Sequence, residues 1–105
     1  MGTMTAMSPQ LSIDRTAIAD FCKRHHVRRL ALFGSVLRGD FGPDSDVDVL
    51  VEFEPGHVPG FAFFDMQEEL AGILGRRVDL HTPGSLSRYF RDRVVREAQD
   101  QYVAA

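Results

Sequence analysis

Two aspartates, Asp46 and Asp48, stand one residue apart at the start of an apolar run, and ten residues separate them from a Gly34-Ser35 pair. In an extended segment such i, i+2 residues share a face with Cα atoms about 6.5 to 7 Å apart, so their carboxylates can converge on one point. Uncompensated, two carboxylates this close repel and one takes up a proton. A divalent cation removes that conflict. Mg2+ prefers hard oxygen ligands and is commonly held by one or two carboxylates together with substrate phosphates. A third carboxylate, Asp79, interrupts another apolar alternation between Val78 and Leu80. Placed beside the first strand, it would complete a two-metal site. The Gly34-Ser35 pair closes one strand and opens a short helix, which leaves backbone N–H groups free to meet a phosphate. Gly34 would allow close backbone approach, Ser35 would offer hydroxyl and amide donors, and Arg38 one turn later could reach a phosphate oxygen. Taken singly these features are ordinary, since Gly-Ser after a strand is usually a turn and a lone Asp-x-Asp is usually a solvated edge. Together they point to a metal-bound nucleoside triphosphate.

These groups need elements to hold them. Apolar residues at Ile13, Ala17, Ile18, Phe21 and Cys22 have helical spacing, with Ser12 as a cap and "KRHH" complementing the C-terminal dipole. "VRRLALFG" then reads as a buried strand from Val27 to Gly34, followed by a short helical turn from Ser35 to about Gly39. "GPDS" is turn chemistry that delivers the chain into the strand "DVDVLVEF", where Val47, Val49, Val51 and Phe53 face one side and Asp46, Asp48, Leu50 and Glu52 the other. Glu52 and Glu54 are expected to face solvent. The loop "EPGHVPG" leads to a second helix over Phe61 to Leu74, stopped by Gly75, with Phe63, Met66, Leu70 and Leu74 on one stripe. Three phenylalanines in four residues, Phe61, Phe63 and Phe64, cannot all face inward from it. "RVDLH" is a third strand, "TPG" a turn, and Leu86 to about Val103 an arginine-rich final helix. The order αβ(α)βαβα describes an α/β (α+β) fold: a small mixed sheet of about three strands flanked by helices.

The chain has 105 residues, 44% apolar and 26% charged, which fits one folded domain and argues against disorder. That domain is expected over 11–105, with residues 1–10 as a disordered or cloning-derived N-terminus. No apolar run approaches the roughly 20 residues of a membrane span, and no signal peptide is visible, so the expected location is the cytoplasm. Cys22 is the single cysteine, which excludes an intramolecular disulfide and reads as a buried structural thiol. The net charge of −3 hides an asymmetry: acidic residues crowd the middle, whereas Arg76, Arg77, Arg88, Arg91, Arg93 and Arg96 crowd the C-terminal third. The negative total speaks against a nucleic-acid template.

Gly34-Ser35, then ten residues, then Asp46-x-Asp48, with "RG" at Arg38-Gly39 and "SD" at Ser45-Asp46, resembles the minimal nucleotidyltransferases of the DNA polymerase beta superfamily. The resemblance runs from about Ser12 to Tyr102, because "RRVDLHTPGSLSRYFRDRVVREAQDQY" is also similar to that family's closing strand and helix. It implies a polymerase-beta-like fold in which Asp46 and Asp48 bind two Mg2+ ions and Asp79 takes the third carboxylate position, as ligand, base or both. Gly34, Ser35, Arg38 and Ser45 are the corresponding nucleotide-binding positions. ATP or another nucleoside triphosphate is the implied donor. Family members this small resemble the antitoxin half of toxin–antitoxin pairs whose partner is a HEPN-domain ribonuclease. The implied reaction transfers AMP from ATP to a hydroxyl of that toxin. A non-catalytic antitoxin acting by contact alone, and a transferase acting on a small-molecule hydroxyl such as an antibiotic, are the alternative readings. The sequence leaves open the nucleotide preference, the acceptor and the role of His81.

Overall fold

The computed structural model describes residues 13–38 and 41–104. The first helix, α1, spans Arg15–Arg24. Its cap is Asp14, whose carboxylate accepts the Ala17 N–H at 3.0 Å, and the chain leaves it through His26 in a left-handed conformation with φ 57°. Ser12, the expected cap, and the N-terminal segment 1–10 lie outside the described residues, as does Gly39. Strand β1 follows at Val27–Phe33, then one 3-10 turn at Gly34–Leu37 and strand β2 at Val47–Phe53. Helix α2 covers Ala62–Leu74 and stops at Gly75, whose φ of 68° is the left-handed geometry that glycine adopts without cost. Strand β3 is Val78–His81.

The C-terminal third departs from the expected single helix. Helix α3 is only Arg91–Glu97, and the chain then turns extended at Ala98 into a fourth strand, β4, at Gln99–Val103. Its sequence, Gln-Asp-Gln-Tyr-Val, has no apolar alternation of its own. It is a strand because β1 offers an open edge: Arg29, Leu30, Ala31 and Leu32 pair with it antiparallel, across a register shift between Leu30 and Ala31. The sheet therefore has four strands in the order β3-β2-β1-β4, with β1–β2 antiparallel and β2–β3 parallel. A parallel neighbour needs a crossover, and α2 provides it.

The apolar alternation of β2 holds. Val47, Val49 and Val51 are fully buried and join Leu30 and Leu32 of β1, Ile18, Phe21 and Cys22 of α1, and Met66, Leu70 and Leu74 of α2 in one core. Each fully buried side chain of the size of Phe21 or Leu30 contributes roughly 2 to 3 kcal/mol of transfer free energy. The opposite face of the sheet carries the paired Ala31 and Leu50, both buried, and beyond them the polar residues. Burial pushes the Cys22 thiol up to about 12. A thiol-specific reagent is therefore expected to label Cys22 only at the rate of unfolding, and rapid labelling of the native protein would contradict this packing.

Helices α1 and α2 are joined at the surface by Glu69, which accepts hydrogen bonds from Arg24 and stands 2.9 Å from His25 Nε2. The Arg24 hydrogen bond, then that of His25, holds the Glu69 carboxyl below its ordinary range. A depressed folded-state value means stability present above the unfolded value and lost as pH falls through the folded one. Glu69→Gln should therefore cost about 0.5 to 1 kcal/mol at neutral pH, as expected of a partly exposed pair. Denaturant titrations of both proteins should converge as the pH drops below the carboxylate range.

Candidate active site

Asp48 lies on β2 directly opposite Phe33 of β1, and on its other side it pairs in register with Asp79 of β3. Two adjacent strands thus bring together carboxylates separated by 31 positions in the chain. His81, two residues after Asp79, shares its face by the period of two and stands with Nε2 3.1 Å from Asp79 Oδ2. One ligand atom from each of Asp48, Asp79 and His81 lies within 4.8 Å of the others. Asp48 is half-buried and Asp79 exposed. Burial raises the Asp48 carboxyl above its ordinary value, and the Asp79 charge adds to the rise. Such a pair of hard oxygen donors, one of them destabilised as an anion, fits Mg2+.

Gly34 reaches this cluster from β1. Its φ is 78°, and a Cβ placed there would overlap the Asp48 carboxylate. The glycine is thus required twice: by the left-handed turn that opens the 3-10 segment and by the space that Asp48 occupies. Ser35 follows it half-buried, and Arg38 ends the turn exposed, near enough for its charge to act on Asp48. An open cavity of about 480 Å3 adjoins Gly34, with Leu37 and Arg38 on one side and Phe90 and Arg93 on the other. Its size falls within the range of small-molecule sites.

Asp46 immediately precedes β2, and its Oδ1 is 2.9 Å from Arg77 Nε, so its carboxylate is engaged outside the Asp48–Asp79–His81 group. Its charge still adds to the upward pressure on Asp48. Ser45 uses its hydroxyl within the turn, accepting the Gly42 N–H at 3.0 Å. Arg76 and Arg77, which the sequence offers as contacts to phosphate or a partner and equally as surface residues, clasp that turn. Arg76 donates to the carbonyls of Gly42 and Ser45 at 2.6 and 3.0 Å and lies 4.4 Å from the Phe41 ring centroid. Arg77 donates to the Asp44 carbonyl at 2.6 Å. They hold the loop that presents Asp46, a contact spanning more than thirty residues that no local pattern reveals.

His81 is the residue whose place at the site the sequence left open. The Asp-x-His spacing on a strand was the available signal, because i and i+2 face the same way. Glu52 is less open than expected, with its side chain 19% exposed and accepting hydrogen bonds from Arg28 at 2.8 Å and Arg29 at 3.0 Å, whereas Glu54 is 43% exposed. Of the three phenylalanines, only Phe63 turns inward, edge-on to Phe53, while Phe61 and Phe64 are exposed.

A family model described as a nucleotidyltransferase domain matches residues 15–104. The protein adenylyltransferase MntA of Thermococcus cleftensis is 42% identical over 76 residues, covering 71% of this chain and 75% of that protein. A Methanocaldococcus jannaschii protein provisionally named as a protein adenylyltransferase is 34% identical over 81% of this chain and 98% of its own length. Among solved structures, one described as a minimal nucleotidyltransferase superposes with a TM-score of 0.66 at 40% identity, covering 80% of this chain and 85% of that one. A toxin–antitoxin complex with AMP-PNP superposes with a TM-score of 0.70 over 88% of this chain and 75% of its own, and at 22% identity it attests the shared fold. No helix among the described residues is long and apolar enough to cross a membrane.

Proposed function

Because this chain belongs to the nucleotidyltransferase domain family, we propose that it is a protein adenylyltransferase that transfers AMP from ATP to a hydroxyl of a HEPN-domain toxin and so acts as its antitoxin. The observation that carries this reading is the in-register pairing of Asp48 with Asp79, closed by Gly34, in a chain 42% identical to a protein adenylyltransferase. The fold relative of Shewanella oneidensis, a nucleotidyltransferase antitoxin in complex with a tri-AMPylated HEPN toxin, supports the choice of partner. In this reading residues 11–105 form a single transferase domain, and the cytoplasm is its site of action.

Gly34 and Ser35 would meet the phosphates at the C-terminal end of β1, and Arg38 would neutralise part of their charge. Asp46, Asp48 and Asp79 would hold Mg2+, which when bound supplies charge neutralisation to the triphosphate and acidifies the acceptor hydroxyl. Asp46 joins the set by giving up Arg77, an exchange that their exposed positions permit. The acceptor oxygen forms a bond to the α-phosphorus, the bond from that phosphorus to the α,β-bridging oxygen breaks, and pyrophosphate leaves. Asp79, exposed and in contact with His81, would also take the hydroxyl proton. Asp48, half-buried between β1 and β3, is the fixed point of the constellation.

The test is intact-mass spectrometry of the HEPN partner after incubation with this chain, Mg2+ and each nucleoside triphosphate in turn. Mass gains in whole AMP units with ATP are the expected result. Neutralisation of the toxin with no mass change would favour an antitoxin that works by binding alone. Transfer to a small-molecule hydroxyl in place of the protein would move the acceptor class.

A further inference from the structure

A second cluster of metal-ligating side chains lies at the other end of the sheet. His26 precedes β1, Glu54 follows β2 and His57 stands in the loop that leads towards α2. One ligand atom from each of the three falls within 4.8 Å of the others. His26 Nδ1 is 3.6 Å from Glu54 Oε1, and the two imidazoles stack with centroids 3.9 Å apart and planes 16° from parallel. The backbone locks these residues into one frame: the Glu54 N–H donates to the His26 carbonyl at 2.9 Å and the His57 N–H to the Glu54 carbonyl at 3.1 Å. His26 is, among the described residues, the one non-glycine with positive φ, at 57°. A glycine would be the ordinary choice there, and a histidine in its place carries a conformational cost. Six residues of extended chain separate Asp48 from Glu54, about 20 Å, so this cluster is distinct from the nucleotide site.

We propose that His26, Glu54 and His57 form a zinc site that clips the end of α1 and the start of β1 to the loop after β2. Two imidazole nitrogens and one carboxylate oxygen are a borderline donor set of the kind zinc takes, with water completing a tetrahedron. Nearly parallel rings cannot both aim their in-plane lone pairs at one ion. Binding therefore requires the exposed His57 ring to rotate off His26, which its loop position allows. The site is independent of the transfer reaction and stabilises the fold by binding only the native chain.

Equilibrium dialysis against ZnCl2 tests it, using the full chain with Asp48→Asn and Asp79→Asn so that the first cluster does not contribute. One zinc per chain is expected. It should be lost in His57→Ala and in His26→Gly, the latter relieving the left-handed strain and so raising the melting temperature without zinc. Zinc should raise the melting temperature of the parent and leave both variants unmoved. No bound zinc in the parent, or equal binding in parent and both variants, overturns the proposal.

Discussion

Asp48→Asn is expected to reduce AMP transfer at least about 10^3-fold while leaving the partner complex intact. The side chain keeps its shape and loses the charge by which it would hold the proposed cation. Stability should move the other way. Burial, with Asp79 beside it, raises the folded-state value of this carboxyl, so its ionised form is less favourable in the folded chain than in the unfolded one. A raised acid favours the fold below the unfolded value, and that advantage is lost as pH rises through the folded one. At neutral pH the neutral amide should therefore equal or exceed the aspartate in stability, by up to on the order of 1 kcal/mol. Single-turnover transfer and urea unfolding on the same preparations measure both signs. Loss of activity with loss of fold would instead assign Asp48 a structural role.

Gly34→Ala should be severe in both respects. The left-handed backbone at 78° costs an alanine about 1 to 2 kcal/mol, and the new methyl would occupy the space of the Asp48 carboxylate. Relief requires either the carboxylate to rotate away or β1 and β2 to part. A total loss of about 2 to 4 kcal/mol and of at least about 10^2 in transfer rate is expected. The double variant Gly34→Ala/Asp48→Ala separates the causes. Removing the carboxylate should restore the part of the stability due to overlap, leaving the backbone part, and should restore no activity. Strict additivity of the two stability changes would show that no overlap exists.

The two effects share one origin. A strand end, a left-handed glycine and a half-buried carboxylate occupy one small volume, and the same closeness that orients Asp48 also makes it costly to fold. The clasp of Arg76 and Arg77 on the 42–46 turn plays the complementary part for Asp46, which lies outside the strand and is positioned by contacts to its backbone. Precision on the sheet and adjustability at its mouth are thus assigned to different aspartates.

Much of this was legible in the chain itself, for a physical reason. Period-two alternation placed Asp48 opposite the valines of β2, helical spacing placed Phe21 and Met66 inward, and Gly75 ended α2 because each depends on neighbours a few residues away. The Gly-Ser to Asp-x-Asp spacing likewise put Gly34 and Asp48 forward as neighbours, since a turn and a strand carry it locally, and they do meet. What tertiary structure alone decided was whatever required a partner distant in sequence. Gln99–Val103 became a strand because β1 had an open edge, against a local arginine-rich helical pattern that ran past its true end. Glu52 went to Arg28 and Arg29, Asp48 met Asp79 of the neighbouring strand, and Arg76 and Arg77 closed on the turn that presents Asp46. Local periodicity states which way a side chain points; only the packed sheet states what it meets there.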